Sequence, residues 1–394
     1  MELSLMSDYK PSNPVPTNFK LSVFLSSVIA MPLAVMAIPV LFLSSAAQAK
    51  DVDTAYYTFG QYRYFGPKLD VDYVPDGIEN NQTSGKRFYS SLTKHQYNFF
   101  KNAGRTYKEA LGFGGRDKPY RLMGGFEYDF RQSKTSGSSY GYNDKSGTFF
   151  LLGDKALSNN HWRLGGGVVF NRYHTGFDNA QKVRQENYMG VLHAVYNNPE
   201  KDIRLRSRLM FGYGTADFDR LADISGTAEL FTAGYHSWYY GFENTLAQTY
   251  SFGSFYLQPC LEFNARGIDR DEISEAGKAP NRFSMKSRSS FLADGLAGLY
   301  AGYKGEDWFG HKYNIKVGPD FTYIFSDPND AFYLQEEGGS DVYMKKRFDH
   351  RDYVTWKAYF NYYFDNGMGI YSDFRYYKKD KDSIAFALGL NYRF

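Results

Sequence analysis

The sequence predicts an all-β fold: a 12-stranded antiparallel transmembrane β-barrel with an N-terminal helix in its lumen. Three observations predict it. The composition favours strands, with aromatics at 19% of 394 residues, 36 Tyr and 34 Phe against 4 Trp, and 38 Gly, which is too aromatic for a disordered chain. From Tyr120 onward, apolar and polar residues alternate with period two in one segment after another. The connections between these segments alternate between short and long. The composition also excludes several classes. A single cysteine, Cys260, leaves no disulfide scaffold, Cys-based zinc site or dithiol motif. Lys+Arg 46 against Asp+Glu 43, a net charge of +3, is too balanced for a nucleic-acid surface, and no nucleic-acid partner is expected.

At the N-terminus, Leu21 to Leu43 is an uncharged run of apolar and small residues, preceded by Lys10 and Lys20 and followed by Ala47-Gln48-Ala49. This is the order of a secretory signal peptide, and residues 1–49 are expected to be removed by cleavage after Ala49. The rival reading is a retained transmembrane helix, but Pro32 and Pro39 interrupt the run. Residues 50–89 form a short N-terminal segment with no repeats, too small to bury a core. Ser90 to Leu111 then reads as a helix. Ser90 or Ser91 can cap it, Gly112 can end it, and Leu92, Phe99, Ala103 and Ala110 form one stripe. Its other face carries Lys94, His95, Lys101, Arg105 and Lys108, and Gly104 weakens it.

Twelve strands follow, at 120–132, 146–156, 161–172, 186–196, 203–215, 234–249, 254–268, 286–303, 311–325, 348–364, 367–378 and 383–394. In the first, Tyr120, Leu122, Phe126, Tyr128 and Phe130 alternate with Arg121, Glu127, Asp129 and Arg131. In the fifth, Ile203, Leu205, Leu209, Phe211 and Tyr213 alternate with Arg204, Arg206 and Arg208. Ile315, Val317, Phe321 and Tyr323 in the ninth are set against Lys316, Asp320 and Thr322. In the tenth, Val354, Trp356, Ala358 and Phe360 are set against Thr355, Lys357 and Tyr359. The last strand places Ile384, Phe386, Leu388, Leu390, Tyr392 and Phe394 on one face, ending at the final residue. A soluble sandwich alternates too, but it seldom ends on a long apolar edge strand, and closing a barrel removes that edge.

Short connections carry turn residues: Ser158-Asn159-Asn160, Asn197-Asn198-Pro199, Ser251-Phe252-Gly253, Lys304-Gly305-Glu306-Asp307 and Asp365-Asn366-Gly367. The others are long, for example Thr135–Asn143, Ala216–Ala233, Asp269–Arg282 and Asp327–Lys346. Periplasmic turns opposite extracellular loops in an outer membrane produce this alternation, and a sandwich has no reason to.

Residues 119–394 resemble the translocator, or β-domain, of a type V autotransporter. The resemblance rests on order and spacing: Phe211-Gly212-Tyr213-Gly214, Leu257-Gln258-Pro259, and Arg266-Gly267-Ile268-Asp269 leading into Glu272. The C-terminal Gly389-Leu390-Asn391-Tyr392-Arg393-Phe394 is similar to the signal read by barrel-assembly machinery, through Gly389, Tyr392 and Phe394; Ala387 departs from it. The resemblance implies an outer-membrane location in a Gram-negative-type bacterium, with a linker helix at residues 90–112 threading the barrel. It also implies assembly by that machinery with periplasmic chaperones. Residues 50–89 would then be a vestigial passenger or tail, where the family usually exports hundreds of residues.

The candidate lumen-lining charges are Glu127, Asp129, Arg204, Arg206, Arg208, Glu262, Lys316, Asp320, Lys357, Asp373 and Arg375. The inward carboxylates can meet the cations of the helix, and the arginines can pair with carboxylates or bias a pore toward anions. Seven histidines include His161, His174 and His350, but a loop histidine beside an acid is ordinarily a solvated pair. No catalytic residue, metal or cofactor is expected. The expectation is a monomer in outer-membrane lipid that translocates and anchors its N-terminal segment. A porin-like channel and a loop-borne adhesin are the alternatives.

Overall fold

The computed structural model of the chain describes residues 55–59, 62–66, 81–89, 91–92, 118–133, 141–157, 161–177, 181–326, 331–339, 342–345, 352–378 and 381–394. The expected signal peptide therefore lies outside the described residues, as do residues 93–112 of the expected helix. The chain divides into two units, 1–55 and 56–394, and the described structure belongs almost wholly to the second.

A two-stranded sheet, β1 (Ala55–Phe59) and β2 (Tyr62–Gly66), comes first. Helix α1 covers residues 81–89, and residues 91–92 are helical as well. The remaining strands are β3 (Tyr120–Ser133), β4 (Tyr142–Ala156), β5 (Trp162–Phe177), β6 (Lys182–Asn198), β7 (Ile203–Ile224), β8 (Thr227–Gln248), β9 (Tyr250–Phe252), β10 (Phe255–Arg270), β11 (Ile273–Ser274) and β12 (Phe283–Met285). They continue with β13 (Arg288–Glu306), β14 (Lys312–Ile324), β15 (Ala331–Glu336), β16 (Val342–Lys345), β17 (Asp352–Tyr363), β18 (Met368–Lys378) and β19 (Lys381–Arg393).

Twelve of these close into an antiparallel barrel in the order β3-β4-β5-β6-β7-β8-β10-β13-β14-β17-β18-β19. The ring shuts where β19 pairs with β3, from Lys381 opposite Ser133 to Arg393 opposite Arg121. Beyond that register the Phe394 amide donates to the Tyr120 carbonyl at 3.2 Å and the Tyr120 amide to the Phe394 carbonyl at 3.0 Å. Closure pairs every strand edge, as a hydrocarbon surround demands.

Alternation sorts the side chains as the sequence predicts. Leu122, Phe126, Leu209, Phe211, Val317, Phe321, Trp356, Leu388 and Leu390 are exposed on the outer wall, while Arg121, Glu127, Arg208, Asp320, Thr355 and Ala387 are buried inside. The outer wall is apolar because lipid meets it. The inner wall is polar because other protein groups meet it.

Two expectations are corrected. Ala216–Ala233 is not a long loop: β7 and β8 pair without a break to Ile224 opposite Thr227, and turn at Ser225 and Gly226, with φ of 55° and 90°. Period two does continue through this stretch, with Ala216, Phe218, Arg220 and Ala222 buried in succession. The second correction concerns the helix, which starts upstream of Ser90. Ser91 lies in helical backbone, and its hydroxyl donates to the Arg87 carbonyl at 2.8 Å, four residues back, so it does not cap the helix.

The connections expected as loops at Asp269–Arg282 and Asp327–Lys346 contribute a further small sheet, β11-β12-β15-β16. It lies at the end of the barrel opposite Tyr120 and Phe394, and it is joined to the wall by a bridge between Thr232 and Ala276.

Candidate functional site: the lumen and its extracellular mouth

The inner wall of the barrel carries charges that partner one another. Glu127 on β3 accepts from Arg375 at 2.5 Å, and Arg375 also donates to Asp373 on its own strand at 2.8 Å. Asp129 is bound by Arg131. Arg208 pairs with Glu243. Glu243 also accepts from Arg266 at 2.8 Å, and Arg266 reaches Asp294 at 2.9 Å. Asn264 bridges Asp294 at 2.7 Å and Glu262 at 3.0 Å, and the Thr245 hydroxyl donates to Glu262 at 3.3 Å. Lys357 pairs with Asp320, which the Tyr300 hydroxyl also approaches. Lys316 lies over the rings of Tyr359 and Tyr300, at 4.2 and 4.6 Å, and donates to Gln258 at 3.3 Å. Arg206 is buried on β7 opposite Thr245, and Arg204, half-buried, bonds Asn197 at 2.7 Å. Every candidate charge named from the sequence thus lies on the inner wall. The wall itself supplies partners to the carboxylates; the helix cations expected to meet them lie outside the described residues.

Burial makes this pairing necessary, since an isolated charge in a low-dielectric interior costs several kcal/mol. Period two found the whole of the Glu127–Asp373–Arg375 and Asp320–Lys357 groups and part of the others. Glu243, Arg266 and Asp294 share the same inward register and were legible by the same rule, though they were not singled out.

At the periplasmic rim, Asp154 gathers Arg121 (3.0 Å), Arg163 (2.7 Å) and His193 (3.2 Å). Arg163 also donates to the carbonyls of Lys118 and Pro119 at 3.0 and 3.3 Å, clamping the chain where it enters β3. On the outer side of this rim Tyr120, Tyr392 and Phe394 form a continuous stack, with centroids 5.7 and 5.5 Å apart. Gly389, the remaining residue of the C-terminal signal, makes room for the Tyr371 ring.

The opposite mouth is closed by packing. Phe88, Tyr89 and Leu92 of the helical segment are fully buried in a core with Tyr142, Phe177, Phe218, Phe283 and Leu334. A polar node holds that core together. Arg220 of β7 and Glu275 of the β11–β12 connection form a bidentate pair at 2.6 and 2.7 Å, both with 0% side-chain exposure. Asn81 accepts from Arg220 at 3.0 Å and donates to Glu336 at 2.8 Å, and the Tyr89 hydroxyl donates to Glu275 at 3.1 Å. The Ser84 hydroxyl donates to the Leu221 carbonyl at 2.7 Å. The guanidinium of Arg220 lies between the rings of Phe231 and Phe283, 4.4 and 4.9 Å from their centroids. None of this was read from the sequence, because Arg220 and Glu275 fell in presumed loops.

Among the described residues no group of three His, Cys, Asp or Glu is placed to hold a metal ion. His161 contacts the Asn197 carbonyl at 3.1 Å, His174 faces outward from β5, and His350 lies outside the described residues.

A closed 12-stranded ring with ion-paired inner walls and a helix in its mouth narrows the choice of family. The profile described as "Autotransporter beta-domain" matches residues 122–375. The chain belongs to the autotransporter β-domain family. Its barrel is similar in fold to the translocator domain of autotransporter NalP from Neisseria meningitidis. That match has 13% identity and a TM-score of 0.60, and covers 78% of this chain and 98% of that one. It is similar also to the β-domain of the Bordetella autotransporter BrkA, at 14% identity and a TM-score of 0.52, covering 71% of this chain and all of that one, 100%. No curated protein sequence matches the chain. As an autotransporter β-domain it is an outer-membrane barrel of Gram-negative type, and both ends of the barrel chain, at Tyr120 and Phe394, lie together on one side of it.

Proposed function

We propose that the autotransporter barrel carries a short N-terminal segment across the outer membrane and anchors it at the cell surface, after export through a cleaved signal peptide spanning residues 1–49. One observation carries this reading. The chain lies in the extracellular mouth at residues 81–92 and at the periplasmic rim at Lys118, where Arg163 clamps it. Residues 93–117 separate these two points, and 25 residues reach roughly 37 Å even at the ~1.5 Å per residue of a helix. That is enough to join the two ends through a lumen about as tall as a ~30 Å hydrocarbon core. Residues preceding Asn81 then leave from the extracellular end. Recognition of β19 by the assembly machinery, aided by periplasmic chaperones, completes the proposal, with the barrel acting as a monomer and without catalysis.

The test is an epitope placed at Asp53. Protease added to whole cells removes it if the segment is exported, and complete protection refutes export. Planar-bilayer conductance is a second readout. The intact barrel conducts little and a variant lacking residues 50–112 conducts strongly, whereas high conductance in the intact protein would favour the porin-like reading.

A further inference from the structure

The outer wall of the barrel carries one concentration of charge that the translocator role does not use. A row of aromatics crosses it through directly paired positions: Phe126 on β3, Phe149 on β4, Phe170 on β5, Tyr188 on β6, Tyr213 on β7 and Trp238 on β8. Phe126, Phe149, Tyr188 and Trp238 are exposed, as an aromatic belt facing lipid should be. Immediately beyond this row, on the extracellular side, the same outward-facing register holds Lys145 on β4, Arg172 and His174 on β5, and Lys182 and Arg184 on β6.

Register makes these a single patch. His174 stands opposite Lys145 on one side and Arg184 on the other, so their Cβ atoms lie about 5 Å apart. Arg172 and Lys182 flank that row one outward step below and above. Outward-facing Lys and Arg beyond the aromatic row cluster on the three adjacent strands β4, β5 and β6. Neighbouring β3 presents Phe130 and Gln132 at the corresponding positions. Acids border the patch on one side. Glu186 contacts Arg172 at 3.2 Å, and Asp217 and Asp219 stand opposite Arg184 and Lys182. Among the described residues no acid faces the patch from the β4 side, where Lys145 lies between Phe130 and His174.

Depth decides what the patch meets. Arg172 stands two residues past the aromatic row and Lys145, His174 and Arg184 four, about 7 and 14 Å along a strand in the headgroup layer above the hydrocarbon, while Lys182, six residues past it, stands about 20 Å along, at the outer edge of the site. Cations there meet whatever acidic groups the outer leaflet offers, in a setting drier than bulk water. We infer that Lys145, Arg172, His174, Lys182 and Arg184 form a binding site for a phosphate-bearing lipid headgroup of the outer leaflet, seated on the outer wall of β4, β5 and β6.

The full-length protein in phosphatidylcholine nanodiscs, doped with a bis-phosphorylated glycolipid or with its dephosphorylated form, tests the inference by native mass spectrometry of co-purifying lipid. Wild-type protein is expected to retain the phosphorylated form and not the dephosphorylated one. A triple variant, Lys145→Gln with Arg172→Gln and Arg184→Gln, should lose that retention. A charge-keeping triple, Lys145→Arg with Arg172→Lys and Arg184→Lys, should preserve it, and heat-dependent gel mobility reports that all three proteins are folded. Displacement of the lipid by equimolar inorganic phosphate would overturn the lipid assignment in favour of a free-anion site. Equal retention of both glycolipids, or unchanged retention by the glutamine variant, would overturn the site. An acidic protein binding this face in place of lipid would overturn it as well.

Discussion

Arg220 and Glu275 are two charges at zero exposure whose solvation is replaced by each other, by Asn81 and Tyr89, and by the Phe283 amide, which donates to Glu275 at 2.8 Å. Removing one partner leaves the other charged and buried, which costs about 3–5 kcal/mol, whereas removing both with apolar residues of similar size is often near neutral. Arg220→Met is therefore expected to loosen the mouth strongly, and the Arg220→Met, Glu275→Leu double variant to recover most of the loss. The check is thermal unfolding in detergent, paired with bilayer conductance; single and double variants of equal stability would refute the coupling. Gly389 gives a second test at this scale. A Cβ placed there would overlap Cε1 of the buried Tyr371 ring. Gly389→Ala should cost about 1–3 kcal/mol through overpacking. Tyr371→Leu in the same protein should relieve it, which would place the glycine of the C-terminal signal in packing as well as in recognition.

At the scale of elements, the membrane-facing parts of the strands were legible because lipid imposes one rule on every residue of the outer wall. The expected starts of 120, 203 and 254 stand beside strands beginning at Tyr120, Ile203 and Phe255. The extracellular halves were less legible. Above the membrane the alternation of β7 persists past Thr215 but reverses in polarity, with Ala216, Phe218 and Ala222 facing in and Asp217, Asp219 and Asp223 out, and the turn is marked only by Ser225-Gly226. The small sheet of β11, β12, β15 and β16 was invisible because its strands are short and its two hairpins join through β12 and β15, about 50 residues apart, Phe283 opposite Glu336. The helical residues 81–89 were missed because Ser90 and Ser91 offered caps, while the residues that fix these turns, Asn81 and Ser84, do so through distant partners. The periplasmic turn between β13 and β14 supplies a pH test. Burial raises the Asp307 carboxyl pKa, but the Tyr362 hydroxyl and the amides of Phe309 and His311 bond it and hold it below its ordinary value overall. A depressed folded pKa contributes stability that is present above the unfolded value and is lost as pH falls through the folded one. Asp307→Asn should therefore flatten the loss of barrel stability in the acid range, below about pH 4, and leave neutral stability less affected. Identical acid titration curves for the two proteins would show that this turn does not matter to it.

For the whole molecule, the decisive event is closure. The strands pair with sequence neighbours until β19 returns to β3, and the lumen pair between Glu127 and Arg375 joins residues 248 apart. Bringing such distant segments together carries a loop-closure cost that grows slowly with length, and only the completed ladder compensates it. Before that, β3 and β19 are two long edges with apolar outward faces, a template for aggregation. The closing seam ends at Tyr120 and Phe394, which meet in backbone and ring. Phe394→Ala removes the ring stack, while deletion of residues 381–394 also removes the edge itself. The first is expected to lower the yield of assembled outer-membrane barrel, and the second to abolish it, measured as the fraction migrating as the compact form on unheated gels. The same physics requires an amphiphile throughout, because Leu192, Leu209, Phe211, Leu261, Val317, Trp356 and Leu390 all lie exposed on the outer wall. Such a belt exceeds the few hundred Å² of contiguous apolar surface that a soluble monomer tolerates. Mature protein should therefore aggregate when detergent is withdrawn, and a monodisperse, folded species in plain buffer would mean that the outer wall does not face lipid.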